Sequence, residues 1–303
     1  MNGKTKVAQL ELTALCNKGC TYCYNSDELK DLQELSDEGW LELIGKRKID
    51  EEIILTGGEP LVRKELVFKI LETHSDATIS INTNLLLAKQ KDLARLVELN
   101  ASLMVSLHTS GMNGQVSKYF DEMQSRLSYL IEGGLRPIIN MIVTLNNTGT
   151  LKTTAKFFKQ AGVDRFYATP VQGINGTEPL SIEQTVEVMD DLLYLQKTEG
   201  MEVGIAGVLP HCIVPSDSKY NQFLTKKCSA GEEMRAISPD GNEKPCMSSL
   251  KQELKMPEPC YDCGVLDQCG GGCKVITDYE LTPTDQRRDL GDLVYTNHHC
   301  RGD

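Results

Sequence analysis

Between residues 7 and 200, short runs of apolar residues that alternate with polar ones are followed by longer segments with apolar positions at three- and four-residue steps. The first pattern predicts β-strands, and the second predicts amphipathic α-helices. Strands that alternate with helices are typical of a parallel α/β sheet. We predict six strands, at 7–12, 52–56, 78–82, 102–108, 138–144 and 164–169.

The last helix of this region is predicted at 182–199. Its apolar stripe consists of Ile182, Val186, Met189 and Leu193. Ser181 and Gln184 form a capping box at its start, because each side chain can accept a hydrogen bond from the other residue's backbone. A further strand is expected at 202–210.

Six strand–helix units are two fewer than a closed eightfold barrel contains, so we predict a partial (β/α)6 barrel of the TIM type. Parallel strands covered on both faces are apolar on both, yet here one face of nearly every strand is polar. These faces predict a lumen that holds a polar cofactor and substrate. The polar positions are Gln9, Glu11, Ser80, Asn82, Ser106, His108, Asn140, Thr144, Arg165, Tyr167 and Thr169. We interpret His108 as a neutral, hydrogen-bonded residue, although an acid–base role is also open.

The composition, with 40% hydrophobic and 25% charged residues, is that of an ordinary globular protein. The net charge of −11 disfavours nucleic acid as a partner, since an acidic protein repels phosphate. No apolar stretch has the length of a membrane span or follows the pattern of a signal segment. We therefore expect a cytoplasmic protein whose eleven cysteines are reduced or bound to metal.

Three of these cysteines, Cys16, Cys20 and Cys23, form a C-x3-C-x2-C loop directly after the first predicted strand. Three thiolates can hold only three irons of a [4Fe-4S] cubane, so the fourth iron would be open to a small-molecule ligand. Spacing alone does not separate such a cluster from a zinc site.

The surrounding residues favour the cluster. With Tyr22 between the last two cysteines, and Gly57-Gly58-Glu59-Pro60 after the next strand, the loop resembles the signature of the radical S-adenosylmethionine (radical SAM) superfamily. This resemblance implies that SAM chelates the fourth iron, that Gly57, Gly58 and Glu59 bind its amino group, and that Tyr22 lies near its adenine. Thr83 and Ser106 stand where relatives often contact the methionine or ribose part of SAM.

Eight cysteines lie beyond residue 200, in a region with little helical periodicity and many prolines and glycines. Such a region cannot be stabilised by a large apolar core, so metal is expected to organise it. Residues 239–242 are predicted to form a hairpin turn. We therefore expect two domains, a barrel at 1–200 and a cysteine-rich domain at 201–303.

The spacing of these cysteines resembles the seven-cysteine pattern of the SPASM domain, which holds two auxiliary [4Fe-4S] clusters in radical SAM enzymes. By this resemblance, Cys212, Cys228, Cys246 and Cys273 would ligate one cluster, and Cys260, Cys263, Cys269 and Cys300 the other. With the loop after the first strand, the chain would carry three [4Fe-4S] clusters. Two zinc sites are the alternative.

Cys212 lies outside the seven-cysteine pattern. We expect it to be a cluster ligand, because eight thiolates fully ligate two cubanes. It could instead be a thiol that gives a hydrogen atom to a substrate radical, or an inert buried thiol.

The resemblance implies that a flavodoxin- or ferredoxin-type protein reduces the first cluster, that SAM is cleaved to a 5′-deoxyadenosyl radical, and that this radical abstracts hydrogen from a substrate. One class of substrate is a peptide or protein that undergoes modification, as in most SPASM relatives. The other is a small molecule such as an amino sugar, nucleoside or antibiotic precursor. The early first strand, which leaves no room for a preceding peptide-recognition domain, and the acidic composition favour the small molecule more than the family average does.

Overall fold

The computed structural model of the chain describes residues 6–25, 32–46, 52–108, 116–171, 177–215, 217–224, 227–248, 269 and 272–273. The strands in these ranges are β1 (Val7–Glu11), β2 (Glu52–Thr56), β3 (Thr78–Thr83), β4 (Ser102–Leu107), β5 (Ile138–Val143), β6 (Arg165–Pro170), β7 (Glu202–Ile205), β8 (Met234–Ile237) and β9 (Glu243–Lys244). The α-helices are α1 (Asp37–Lys46), α2 (Lys64–Thr73), α3 (Gln90–Glu98), α4 (Val116–Glu132), α5 (Leu151–Lys159) and α6 (Ile182–Glu199). The six predicted barrel strands are all present, with ends that differ by one residue at most.

The chain divides into two compact units. The first consists of Met1–Asn140, Phe157–Arg165 and Ser229–Leu250, and the second of Met141–Lys156, Phe166–Cys228 and Lys251–Asp303. The predicted domain boundary at residue 200 is a different division of the chain, and it stays a prediction.

In the first unit, the strand order is β4-β3-β2-β1-β8-β9. β1 pairs in parallel with β2 on one side and with β8 on the other, so that Leu10 stands opposite both Leu55 and Ile237. β8 and β9 are antiparallel and flank the predicted turn at 239–242. The pairing of β8 with β1 was not predicted, and it covers backbone groups of β1 that would otherwise form a sheet edge.

The predicted division into polar and apolar strand faces is present on β3 and β4, whereas on β1 the predicted polar residues Gln9 and Glu11 are buried against other protein groups. On β3 and β4, Ile79, Ile81, Leu103 and Val105 are buried, whereas Ser80, Asn82 and Ser106 are partly exposed. Trp40 of α1 and Phe68 of α2 are fully buried in the core. Period-two alternation therefore turns one face of the sheet to the core and leaves the polar face for a ligand.

β5, β6 and β7 are neighbours in the sheet, and their residues from Met141 and from Phe166 onward belong to the second unit. The capping box of α6 is confirmed: Ser181 Oγ accepts from the Gln184 N–H (3.2 Å), and Gln184 Oε1 accepts from the Ser181 N–H (2.8 Å). The predicted stripe of this helix is partly wrong. Its buried face runs through Val188, Met189, Leu192 and Leu195, whereas Val186 and Leu193 are half-buried, since the longer apolar row at 188, 192 and 195 faces the core.

Among the helices in the described part of the chain, none is long and apolar enough to cross a membrane.

Candidate active site

The loop after β1 carries the three predicted cluster cysteines. Cys16 is exposed, and Cys20 and Cys23 are half-buried. The Lys18 N–H donates to Cys16 Sγ (3.4 Å), and the Cys23 N–H donates to the Cys20 carbonyl (3.2 Å), which closes a turn between the last two cysteines. The sequence therefore folds locally so that all three thiols stand on one short loop at the carboxyl end of β1.

The donor set of this loop fits an iron–sulfur cluster. No cysteine in the described part of the chain forms a disulfide. Burial raises the pKa of the Cys16 and Cys20 thiols, so both are protonated without a cation. No group of three or more metal-binding side chains lies close enough to hold a single metal ion, as far as the described residues show. The loop thus supplies three thiols that a cation would deprotonate and draw together.

Gly57 and Gly58 pack against the backbone of the same loop. A Cβ atom at Gly58 would lie 2.3 Å from the Leu15 carbonyl oxygen, and one at Gly57 would lie 2.4 Å from that of Thr13. Gly57 also has a φ of +130°, which disfavours any side chain. The Gly58 N–H donates to the Thr13 carbonyl (2.7 Å), and the Glu59 N–H donates to the Leu15 carbonyl (2.9 Å). The glycines therefore permit a close approach to the cysteine loop itself.

Glu59 links three segments at the carboxyl ends of the strands. Its carboxylate, 1% exposed, accepts from the Leu61 N–H (3.0 Å), the Thr83 hydroxyl (2.5 Å) and the Asn84 N–H (2.7 Å). Burial raises the pKa of this carboxyl, and these hydrogen bonds oppose the rise. The carboxylate is committed to protein partners, and the predicted contact of Glu59 with SAM stays a prediction.

Thr83 and Ser106, the other two predicted cofactor residues, differ in their surroundings. Thr83 is buried, and its hydroxyl donates to Glu59 and accepts from the Leu85 N–H (2.8 Å). Ser106 is half-buried on the polar face of β4, at the same edge of the sheet. Ser106 is therefore the better placed of the two for a ligand contact, and both assignments stay predictions.

Tyr22, in the cysteine loop, contacts His108, which follows β4. The Tyr22 hydroxyl oxygen and His108 Nδ1 are 2.7 Å apart, and the two rings are stacked with centroids 6.0 Å apart. Burial, and then the charge of Lys18, lowers the pKa of His108 to about 4. A neutral imidazole hydrogen-bonded to Tyr22 agrees with our interpretation of this histidine.

This pKa predicts a pH dependence of stability that His108→Gln should remove. Between pH 6.5 and about 4 the unfolded chain binds a proton at His108 and the folded chain does not, so stability falls as the pH falls through this range. The slope from this one group is at most about 1.4 kcal/mol per pH unit. Urea unfolding of the metal-free protein at pH 4.5 and 7 measures this change in the free energy of unfolding. Identical pH dependence in wild type and His108→Gln would contradict the prediction.

Asn84 was not predicted as a site residue. Its side-chain amide donates to Asn17 Oδ1 (2.8 Å) and its backbone N–H donates to Glu59, so the end of β3 is tied to the cysteine loop. The run Asn82-Thr83-Asn84 at the end of an apolar strand was the signal that could have identified it.

The predicted auxiliary ligands are described only in part. Cys260, Cys263 and Cys300 lie outside the described residues. In the second unit, Cys212 stands in a short 3-10 turn, His211–Ile213, and the His211 N–H donates to Cys269 Sγ (3.2 Å). Cys228 is buried, Cys273 is half-buried, and Cys246 is buried in the first unit. The structure thus brings Cys269 to the turn that carries Cys212, and the ligand sets stay predictions.

Residues 10–147, which include the cysteine loop, the Gly-Gly-Glu turn, Tyr22 and His108, match the model of the Radical SAM superfamily. This match covers a little under half of the chain and shows that these residues form a radical SAM domain. The resemblance noted from the cysteine loop is confirmed, and the chain is an enzyme.

Two curated relatives differ in their named activities. A probable GTP 3′,8-cyclase of Methanopyrus kandleri is 27% identical over 62% of this chain and 64% of its own length. The sporulation killing factor maturation protein SkfB of Bacillus subtilis is 24% identical over 78% of this chain and 59% of its own length. The chain therefore spans about six tenths of the length of these two relatives.

Among solved structures, Streptococcus suis SuiB bound to the precursor peptide SuiA is similar over 90% of this chain and 72% of SuiB. The TM-score is 0.72 and the sequence identity is 16%. This likeness shows a shared fold, and with it the predicted partial (β/α)6 barrel is confirmed as a mixed α/β fold with an open parallel sheet.

Proposed function

We propose that Cys16, Cys20 and Cys23 ligate a [4Fe-4S] cluster and that SAM binds beside it at the ends of β1 to β4. The observation that carries this proposal is the direct contact of the cysteine loop with the Gly57-Gly58-Glu59 turn. When reduced by a flavodoxin- or ferredoxin-type partner in the cytoplasm, the cluster supplies the electron that splits SAM into methionine and the 5′-deoxyadenosyl radical.

The residues of the chain have positioning tasks in this proposal. His108 holds the Tyr22 hydroxyl, so the Tyr22 ring has a defined orientation for the adenine of SAM. Glu59 and Asn84 fix the Gly-Gly turn and the cysteine loop to each other. A site assembled from such prearranged groups loses little free energy to reorganisation when the cofactor binds.

We also propose that the cysteines beyond residue 200 form a SPASM domain with two auxiliary [4Fe-4S] clusters, which makes three clusters in all. The spacing of the cysteines supports this, as does the bond from the His211 N–H to Cys269 Sγ, since it brings Cys269 to the turn that carries Cys212. The auxiliary clusters would accept an electron from the substrate radical, so the net reaction would be an oxidation.

For the substrate we propose a peptide. SuiB, with the same fold, is bound to a precursor peptide, and SkfB is named as a maturation protein. A nucleotide is the second candidate, because several relatives are named as probable GTP 3′,8-cyclases. The net charge of −11 is less suited to a triphosphate than to a peptide.

Anaerobic turnover in deuterated water separates these candidates. The reduced enzyme is incubated with SAM and either GTP or the short peptides encoded beside its gene, and products are analysed by mass spectrometry. We expect a peptide product that is lighter by about two mass units, as in dehydrogenation or crosslinking. A product with one solvent deuterium at an unreactive carbon indicates epimerisation instead. Turnover of GTP, with no change in any peptide, would contradict the peptide proposal.

Cys212→Ala tests the auxiliary clusters. If Cys212 is a ligand, the variant should lose up to about four of the roughly twelve irons that three cubanes contain, and substrate turnover should fall more than SAM cleavage. Iron and sulfide analysis with electron paramagnetic resonance spectroscopy measures this. A variant that keeps all its iron, still abstracts substrate hydrogen and accumulates shunt products would show that Cys212 is instead a hydrogen-atom donor.

A further inference from the structure

A buried ion pair joins β1 to the segment that carries Cys246. The ammonium nitrogen of Lys244, in β9, lies 2.8 Å from Oε2 of Glu11, the last residue of β1. The side chains are 12% and 2% exposed. Two polar groups face the Glu11 carboxyl, the ammonium group of Lys244 and the hydroxyl group of Tyr24.

The chain on both sides of Cys246 is held by neighbouring contacts. Lys244 Nζ also donates to the Met247 carbonyl (3.0 Å), and the Met247 N–H donates to Gln9 Oε1 (3.4 Å). The Pro245 carbonyl accepts from the Gly231 N–H (3.2 Å). Residues 244, 245 and 247 are thus all anchored around the buried thiol of Cys246.

Stability alone does not account for such a pair. A buried ion pair is often replaced by apolar residues of similar volume without loss of stability, whereas removal of one partner leaves an uncompensated buried charge. Glu11 also stands only five residues before Cys16, at the end of the strand that leads into the cysteine loop. The pair therefore links the cysteine loop of the radical SAM domain to the segment around Cys246.

We propose that Glu11 and Lys244 are positioning residues that hold the Lys244–Met247 segment so that the Cys246 thiol is placed to ligate an auxiliary cluster. The ligand role of Cys246 rests on the proposed function, whereas the placement of its thiol does not. Residues that orient metal ligands typically change metal affinity by about 10- to 100-fold when they are replaced.

Alkylation of the metal-free full-length protein by iodoacetamide, followed by mass spectrometry, tests the placement of the thiol. Lys244→Met should increase the reaction rate at Cys246 by about 10-fold or more, and Glu11→Gln should change it in the same direction but less, because glutamine retains an oxygen. Glu233→Gln is the matched control. It breaks an exposed ion pair with Lys6 (2.6 Å) at the starts of β1 and β8 and should leave the rate at Cys246 unchanged.

Cys228, which is also buried, reports whether a variant has unfolded as a whole. If Lys244→Met raises the alkylation rate of Cys228 as much as that of Cys246, the substitution has unfolded the protein as a whole. The milder variant Glu11→Gln then tests whether the ion pair places the Cys246 thiol. Equal reactivity of Cys246 in the native and urea-denatured wild-type protein, or unchanged protection in both variants, would overturn the proposal.

Iron analysis separates this proposal from the function on which it rests. In protein whose Cys16, Cys20 and Cys23 are replaced by alanine, Lys244→Met and Cys246→Ala should each lose up to about four of the roughly eight remaining irons. If Cys246→Ala keeps all of the roughly eight irons, Cys246 is not a cluster ligand, whatever the alkylation experiment shows. Iron loss in Cys246→Ala, with full iron and unchanged alkylation in Lys244→Met, would refute the positioning role alone.

Discussion

Replacement of Cys16, Cys20 and Cys23 together by alanine is expected to reduce formation of 5′-deoxyadenosine from SAM and dithionite to background, a loss of at least about 1000-fold. All three thiols stand on one loop, so the triple variant loses every predicted ligand of this cluster at once. Chromatography of the nucleoside products under anaerobic conditions measures the loss.

Two further measurements make this result specific. Thr21→Ala, an exposed substitution in the same loop, should change the rate by no more than about twofold, since surface substitutions are usually mild. The triple variant should keep about eight irons if the auxiliary clusters form independently. Undiminished SAM cleavage in the triple variant would show that the radical chemistry does not depend on this loop.

Gly58→Ala should strongly damage the site by adding a single methyl group. The new Cβ would stand 2.3 Å from the Leu15 carbonyl oxygen and 2.6 Å from that of Ala14. Both are backbone atoms, so the cysteine loop itself must move. We expect a loss of about 1–3 kcal/mol of stability. SAM cleavage should fall by about 100-fold or more, because small displacements of catalytic groups have large effects on rate.

Urea unfolding and 5′-deoxyadenosine formation measure the two effects of Gly58→Ala. Gly45→Ala is the matched control, since a Cβ at this position in α1 meets no atom within 4 Å. It should be neutral or stabilise by up to about 1 kcal/mol, as alanine favours a helix more than glycine does. Wild-type stability and activity in Gly58→Ala would mean that the close approach of the two loops is not required.

Much of the fold was predictable because its signals are local. The alternation of Ile79 and Ile81 with polar neighbours predicted a strand whose opposite faces differ, and β3 has this division. The pairing of Ser181 with Gln184 predicted the start of α6. The buried face of α6 was less predictable, because the helix carries apolar residues on two adjacent stripes, and only packing selects between them.

The pairing of strand β8 could not be predicted from local sequence signals. Met234–Ile237 is a run of four residues, and its sequence does not indicate that it pairs with β1, more than two hundred residues earlier. The cysteines around it suggested a metal-organised domain instead. Contacts between distant segments depend on which sheet edge is left open, and that is settled only when the sheet has formed.

The sequence by itself indicated the chemistry of the candidate site: the three thiols, Tyr22 and the Gly-Gly-Glu-Pro turn lie within short stretches of chain, and together they resemble a radical SAM signature. Only the tertiary structure decided which groups support that site. His108 meets Tyr22 across 86 residues, and Thr83 meets Glu59 across 24. Parallel strands bring their carboxyl ends to one edge whatever their separation in sequence, so these partners become neighbours only when the sheet forms.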